Sequence, residues 1–136
     1  MSVAVGMTMP FVVSPGAARE AMDQSLSGVA GDPVRGRAIA SDPHKGNCII
    51  CHAMPIPEIS PSAFGDVGPS LAGVGSRQSV PALRQRIVDP RVVSPDTVMP
   101  AYFVTGFTRV QAAYSGKTIL TAQEVEDLVA YLASLK

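Results

Sequence analysis

The sequence predicts a small all-α domain, with few helices and long loops wound around a bulky group that the chain does not itself supply. Three observations carry this. Helix signals are present but sparse: starts at Asp32-Pro33 and at Ser79-Val80-Pro81, and a capping box, Thr121-Ala122-Gln123-Glu124, before a terminal apolar stripe. Twelve prolines and twelve glycines in 136 residues gather largely between those segments. Both cysteines, and one of the two histidines, fall in Cys48-Ile49-Ile50-Cys51-His52.

C-x-x-C-H is the attachment signature of a c-type haem. Two thiols within about one helical turn can each add to one vinyl group of the same porphyrin. The adjacent imidazole is then carried beneath the ring, where it can bind iron. Other uses of the five residues lack support. A dithiol redox motif wants a βαβ setting, which is not visible here. Half a zinc site needs further ligands, and only His44 remains among cysteines and histidines. A disulfide between cysteines this close would close too small a loop to stabilise much.

Composition agrees with a chain built around a prosthetic group. The hydrophobic fraction is 46%, yet aromatics are few and tryptophan is absent. A haem would replace the missing side-chain volume. The formal net charge is zero, so no general attraction to nucleic acid or membrane is implied. No apolar run approaches the roughly 20 residues that span a bilayer, and a soluble chain of one domain is expected.

The first residues read differently from the rest. Met1 to Val13 is apolar and uncharged, and Gly16-Ala17-Ala18 offers small residues for cleavage before Arg19. This is similar to a secretory signal without its basic start. It is either the remnant of an export signal or a retained arm. We expect residues 1–31 to form that arm, with helical character confined to a turn around 17–26, and residues 32–136 to form the haem domain.

Each expected element has a local cause. Asp32 caps a helix with Pro33 in its first position, and Asp42-Pro43 ends it near Ser41. Gly36 is costly inside that helix unless another backbone approaches closely. After His52, residues 53–70 hold Pro55, Pro57, Pro61 and Pro69, and Ile56, Ile59, Phe64 and Val67 favour an ordered loop over a disordered insertion. Ser79 caps a helix over 80–88, with Leu83 and Ile87 on one face and Arg84 and Arg86 on others. Residues 101–118 carry four of seven aromatics, Tyr102, Phe103, Phe107 and Tyr114. In the terminal helix Val125, Leu128, Val129, Leu132 and Leu135 make one stripe, while Glu124, Glu126 and Asp127 sit where the helix dipole favours negative charge.

His52 would fill one axial position of the iron. His44 and Met54 lie too near the motif to reach the opposite face, and Met1, Met7, Met9 and Met22 belong to the arm. Met99 stands 47 residues beyond His52, beside Pro100 and after a capped helix, so its loop can return to the far side. Core filling is the plain alternative for any methionine. His/Met ligation would raise the potential and leave no open site, which suits electron transfer and disfavours small-molecule chemistry at the iron.

From Arg77 to Lys117 there are six basic residues (Arg77, Arg84, Arg86, Arg91, Arg109, Lys117) and two acidic ones, Asp89 and Asp96. A basic rim there could steer an acidic partner, or be simply a solvated face. Ile56, Ile59 and Phe64 could form an exposed contact for a partner or a cover for haem.

Taken together, the Asp32-Pro33 helix, Cys48 to His52, Gly68-Pro69-Ser70-Leu71, Met99-Pro100 and Leu128 to Leu132 resemble a class I cytochrome c. Five segments narrow the resemblance to the SoxX family, the monohaem subunit of the sulfur-oxidising SoxAX cytochrome. They are 46–54 (GNCIICHAM), 65–77 (GDVGPSLAGVGSR), 83–91, 96–101 (DTVMPA) and 116–121 (GKTILT). The resemblance implies thioether bonds at Cys48 and Cys51 to one haem c, and axial bonds from His52 and Met99. It implies that the Pro69 carbonyl receives the second imidazole nitrogen of His52. It also implies that Gly36 marks where the first helix crosses the last, near Leu128 to Tyr131.

In function, the resemblance implies the electron-transfer subunit of a periplasmic heterodimeric L-cysteine S-thiosulfotransferase. Such a complex couples thiosulfate oxidatively to a cysteine of a carrier protein. The chemistry falls on a SoxA-type partner subunit, and electrons leave to a downstream acceptor. The alternative is a stand-alone periplasmic class I cytochrome c shuttle. An enzyme with an open haem site is a third class, which Met99 disfavours.

Overall fold

The computed structural model describes residues 22–107 and 111–136. Expectations that fall on Met1, Met7, Met9, the apolar start, the cleavage site and Arg109 therefore lie outside the described residues. Among the described residues, four α-helices are bounded at both ends: α1 (Pro33–Ser41), α2 (Val74–Arg77), α3 (Val80–Val88) and α4 (Ala122–Ser134). Single 3₁₀ turns punctuate the loops at Cys48–Ile50, Pro61–Ala63, Pro90–Val92 and Ala112–Tyr114. No strand occurs among the described residues.

The helix boundaries follow local chemistry. At α1 the Asp32 carboxylate accepts from the Val34 and Arg35 N–H groups, and Pro33 occupies the first turn where its missing donor costs nothing. Ser79 accepts from Ala82 N at the start of α3. At α4 the Thr121 hydroxyl accepts from Glu124 N, and the Glu124 carboxylate reaches back to Thr121 N, completing the capping box. The single turn of α2 follows a left-handed Gly73 and carries no apolar period in sequence.

α1 crosses α4, and Gly36 makes the crossing possible. A Cβ at Gly36 would overlap the Asp127 carbonyl and crowd Tyr131 Cβ, so any side chain there would push the helices apart. The penalty of glycine in a helix, about 1 kcal/mol, is smaller than the cost of such overpacking, about 1–3 kcal/mol. The core forms around this contact, with Ile39 and Ala40 from α1, Leu83 and Ile87 from α3, and Val125, Leu128, Val129 and Leu132 from α4.

Polar groups on α4 behave differently from the sequence expectation. Glu126 and Asp127 lie beyond the first turn and are buried. Glu126 receives Arg84 Nε and Nη2 at 2.8 Å each, and both side chains are only 5% exposed. Arg84 is therefore neither solvated nor part of a basic rim. Glu126 also accepts from Leu26 N at 2.9 Å, and Arg84 donates to the Met22 carbonyl. Asp127 accepts from Asp32 N at 2.8 Å, from Arg35 Nε at 2.8 Å and from Gln123 Nε2 at 3.0 Å. The two carboxylates thus hold residues 22–35 against α4.

The hydrogen bond from Arg35 holds the Asp127 carboxyl at about 2 against an ordinary 3.8, despite its burial. Burial works against ionisation of Glu126, but the Arg84 and Leu26 hydrogen bonds outweigh it and keep its carboxyl below the usual range. A depressed carboxyl stabilises the fold fully above its unfolded value. That contribution fades as pH falls through the folded value. Stability of the folded chain is therefore expected to drop between about pH 4 and pH 2. Asp127→Asn should flatten that drop, as read from urea midpoints taken across the range; an unaltered acid profile would contradict the linkage.

The proline-rich loop after His52 is ordered. Met54 and Ile56 are buried, and Ile59 and Phe64 pack against the core. Ile56, Ile59 and Phe64 are thus cover for the interior and do not form an exposed docking patch. Val67, at 68% exposed, instead lines the open cleft shared with Cys48 and His52.

Candidate haem site

The attachment motif is presented by a tightly laced turn. Asn47 adopts a left-handed conformation (φ 48°) between α1 and the 3₁₀ turn. Its N–H bonds Asp42 O at 3.0 Å, while Gly46 N bonds Ile39 O at 3.1 Å. Cys51 N and His52 N both return to Cys48 O, at 3.1 and 2.9 Å. One turn therefore places Cys48, Cys51 and His52 along the same cleft. No disulfide joins the two cysteines, so both sulfurs are available for attachment, and burial pushes the Cys48 thiol up to about 11.

His52 is oriented from behind. Its Nδ1–H donates to the Pro69 carbonyl at 2.6 Å, which leaves Nε2 as the free nitrogen. Gly68 lies against the ring, and a Cβ there would overlap it. Gly68 N bonds Cys51 O at 2.7 Å and Leu71 N bonds Ala53 O at 2.9 Å, so the Gly68–Leu71 segment is sewn onto the motif.

Met99 lines the same cleft from another part of the chain. Its N–H is capped by Thr97 Oγ1 at 3.1 Å. Three residues on, Tyr102 ties this loop to its surroundings. Its N–H bonds Ile87 O at the end of α3, its carbonyl receives Leu120 N, each at 3.0 Å, and its buried hydroxyl donates to Gly46 O at 2.6 Å. Desolvation raises the Tyr102 phenol above its ordinary value, so it remains a donor. Gly46 lies two residues before Cys48, so Tyr102 sets the separation between the motif and the Met99 loop.

The cleft has a volume of about 730 Å³, within the range of about 300–1,000 Å³ usual for cofactor pockets. Leu71 and Val74, Leu83 and Ile87 of α3, and Leu128 and Leu132 of α4 give it apolar walls. Cys48, Cys51, His52, Pro69 and Met99, the five residues expected from sequence, all line it. The two less suitable ligand candidates sit elsewhere: Met54 is in the core, and His44 offers its carbonyl to Tyr114 Oη at 3.5 Å. Gly68 and Tyr102 are site residues that sequence reasoning does not single out. For Gly68 the only sequence signal is its place beside Pro69, and for Tyr102 its place three residues after Met99.

Three of the six cations expected in a basic rim are taken up in contacts of their own. Arg84 is buried against Glu126, and Arg91 pairs with Asp89 at 2.8 Å while lying 5.1 Å from the centre of the Phe107 ring. Arg77 turns inward to the Ala72 and Ser70 carbonyls.

Comparison with known proteins decides the family. The family model described as Cytochrome c matches residues 34–136. This chain belongs to the cytochrome c family. A chain of the crystal structure of SoxXA from P. pantotrophus is 35% identical, with a TM-score of 0.72 over 83% of this chain and 88% of that one. That neighbour makes this a SoxX-type cytochrome with the all-α class I fold. An uncharacterized lipoprotein of Aquifex aeolicus (strain VF5) is 35% identical over 88 residues, 65% of this chain. The chain spans 36% of the length of that curated relative. Among the described residues, no helix is long and apolar enough to cross a membrane.

Membership of the family implies covalently bound haem c. The residues present fit that group. Two thiols and an imidazole line one cleft, the imidazole's far nitrogen is held by a carbonyl, and glycine leaves room for the ring where any Cβ would displace it.

Proposed function

We propose that this cytochrome is the electron-transfer subunit of a SoxAX-type complex, with residues 32–136 as the haem domain. The observation that carries the reading is the meeting of His52 and Met99 on one apolar cleft. Cys48 and Cys51 would hold a single haem c through thioether bonds, and His52 and Met99 would bind its iron. When bound, the haem supplies a one-electron centre.

The chain's own residues account for the rest. Pro69 fixes the His52 ring and strengthens it as a donor through the Nδ1 hydrogen bond. Met99 brings a soft, neutral thioether, which favours the reduced state. With His52 and Met99 both engaged, no open position would remain for a substrate, and the apolar walls of the cleft would limit access of water. Thiosulfate coupling to a carrier cysteine then belongs to a SoxA-type partner subunit in the periplasm. The coupling releases electrons, which this subunit accepts singly and passes to a downstream acceptor.

Tyr102 supplies a check on the closed centre. Removing its hydroxyl leaves Gly46 O without a buried partner, at a cost of about 1–3 kcal/mol. In Tyr102→Phe, the Met99 loop is therefore expected to detach more easily, so that added imidazole displaces the thioether at about tenfold lower concentration. Optical titration reads this directly, and an unchanged midpoint would show that Tyr102 does not hold the loop in place.

The functional reading is tested by co-expression with a SoxA-type subunit. A stable heterodimer is expected, and its haem on this chain should become reduced when thiosulfate and a thiol carrier protein are added together. A chain that purifies alone and stays oxidised under those conditions would instead be a stand-alone shuttle.

A further inference from the structure

Met99 lines two spaces. Beside the haem cleft lies a smaller hollow of about 260 Å³, walled by Arg91, Met99, Pro100, Ala101, Phe107 and Ile119. Met99, Pro100 and Ile119 line both spaces, so they form the partition between them. The outer wall of the hollow is braced. Arg91 lies 5.1 Å from the centre of the Phe107 ring, and its Nε and Nη2 each donate to the Asp89 carboxylate at 2.8 Å. Asp89 thus answers the guanidinium charge, and the other lining residues are apolar.

A methionine side chain turns about three bonds and adapts to irregular space. The backbone around Met99 is held in place: its N–H bonds Thr97 Oγ1 at 3.1 Å, Pro100 follows with a fixed φ, and Tyr102 is tied to Gly46. Rotation of the side chain alone can carry the thioether across the partition, with no movement of the loop. The hollow has room for it, since an apolar cavity of about 150 Å³ already accepts benzene. Passing from one apolar space to another, the sulfur also meets no polar barrier.

We propose that the hollow is a second seat for the Met99 thioether, whose use lets a small uncharged diatomic molecule bind the iron opposite His52. This rests on the haem site proposed for Cys48, Cys51, His52 and Met99, and deepens it: the centre is closed at rest and opens when the sulfur turns away. The exchange moves no electron and no proton. The donor bond from the thioether breaks, and one donor bond from the incoming molecule forms. Both cannot share one axial position, so the sulfur leaves first.

Carbon monoxide is the probe, mixed with the reduced, haem-loaded full chain and followed by the optical spectrum. Wild type should bind it at a rate that levels off as its concentration rises, because departure of the sulfur becomes limiting. Ala101 lines the hollow but not the haem cleft, so a change there fills the seat and spares the surroundings of the iron. In Ala101→Leu the plateau rate should fall about tenfold, in line with the cost of overpacking. If Ala101→Leu does not accumulate, Ala101→Val adds less bulk and should still lower the plateau. A plateau equal to that of wild type in the filled variant, or a wild type that takes up no carbon monoxide, would overturn the proposal. Met99→Ala keeps that result apart from failure of the haem reading. With no thioether to displace, it should bind without a plateau. A wild type that binds as fast as Met99→Ala, or a chain that carries no covalent haem, would instead defeat the reading on which the proposal stands.

Discussion

Glu126→Gln is expected to lower stability by about 3–5 kcal/mol, the usual cost of stripping one partner from a buried ion pair. The amide is nearly isosteric and can still accept from Leu26 N, so the loss reports the charge left on Arg84. Against a total of about 5–15 kcal/mol for a domain, that is a large share. The pair itself need not be net favourable. Replacing both partners with apolar residues, as in Arg84→Met with Glu126→Leu, should restore most of the loss or exceed wild type. Urea unfolding checks both results through the midpoint at constant slope. A single variant within about 1 kcal/mol of wild type would show that the pair behaves as an exposed one.

Gly68→Ala should have the larger functional effect. The new methyl would occupy the space of the His52 ring, so either the ring or the Gly68–Leu71 segment must move. The segment is held by Gly68 N on Cys51 O and Leu71 N on Ala53 O, so the ring is the freer of the two. Its movement breaks the Pro69 contact at 2.6 Å, and loss of such a supporting contact commonly costs 10–100-fold in metal affinity. The expected product is a chain with haem attached through Cys48 and Cys51 but with a high-spin optical spectrum. A low-spin spectrum identical to wild type would show that the ring tolerates the methyl.

What can be read in the sequence is what depends on near neighbours. The caps of α1, α3 and α4 are each made within three or four residues, and each lies where Asp32, Ser79 and Thr121 predict it. The motif from Cys48 to His52 is equally local. Gly36 points to a close backbone contact because glycine weakens a helix interior, and the Asp127 carbonyl does lie where its Cβ would be. Features that depend on distant residues are not legible in this way. Arg84 and Glu126 are 42 positions apart, and nothing near either one marks it as buried. The same holds for Asp127, which reaches back 92 positions to Arg35. Ile56, Ile59 and Phe64 form no period in a proline-rich loop, so their inward packing depends on a core assembled by other segments. Tyr102 is one aromatic among several near Met99, and only its contact with Gly46, 56 positions away, distinguishes it.

Electron transfer without substrate chemistry at the iron requires Met99 to close the site opposite His52. The optical spectrum of the oxidised, haem-loaded chain, taken beside that of its Met99→Ala variant, reads this closure. A weak sulfur-to-iron charge-transfer band is expected in the wild type and should be absent from the variant. A band missing from the wild type, or the same spectrum in both proteins, would contradict ligation by Met99.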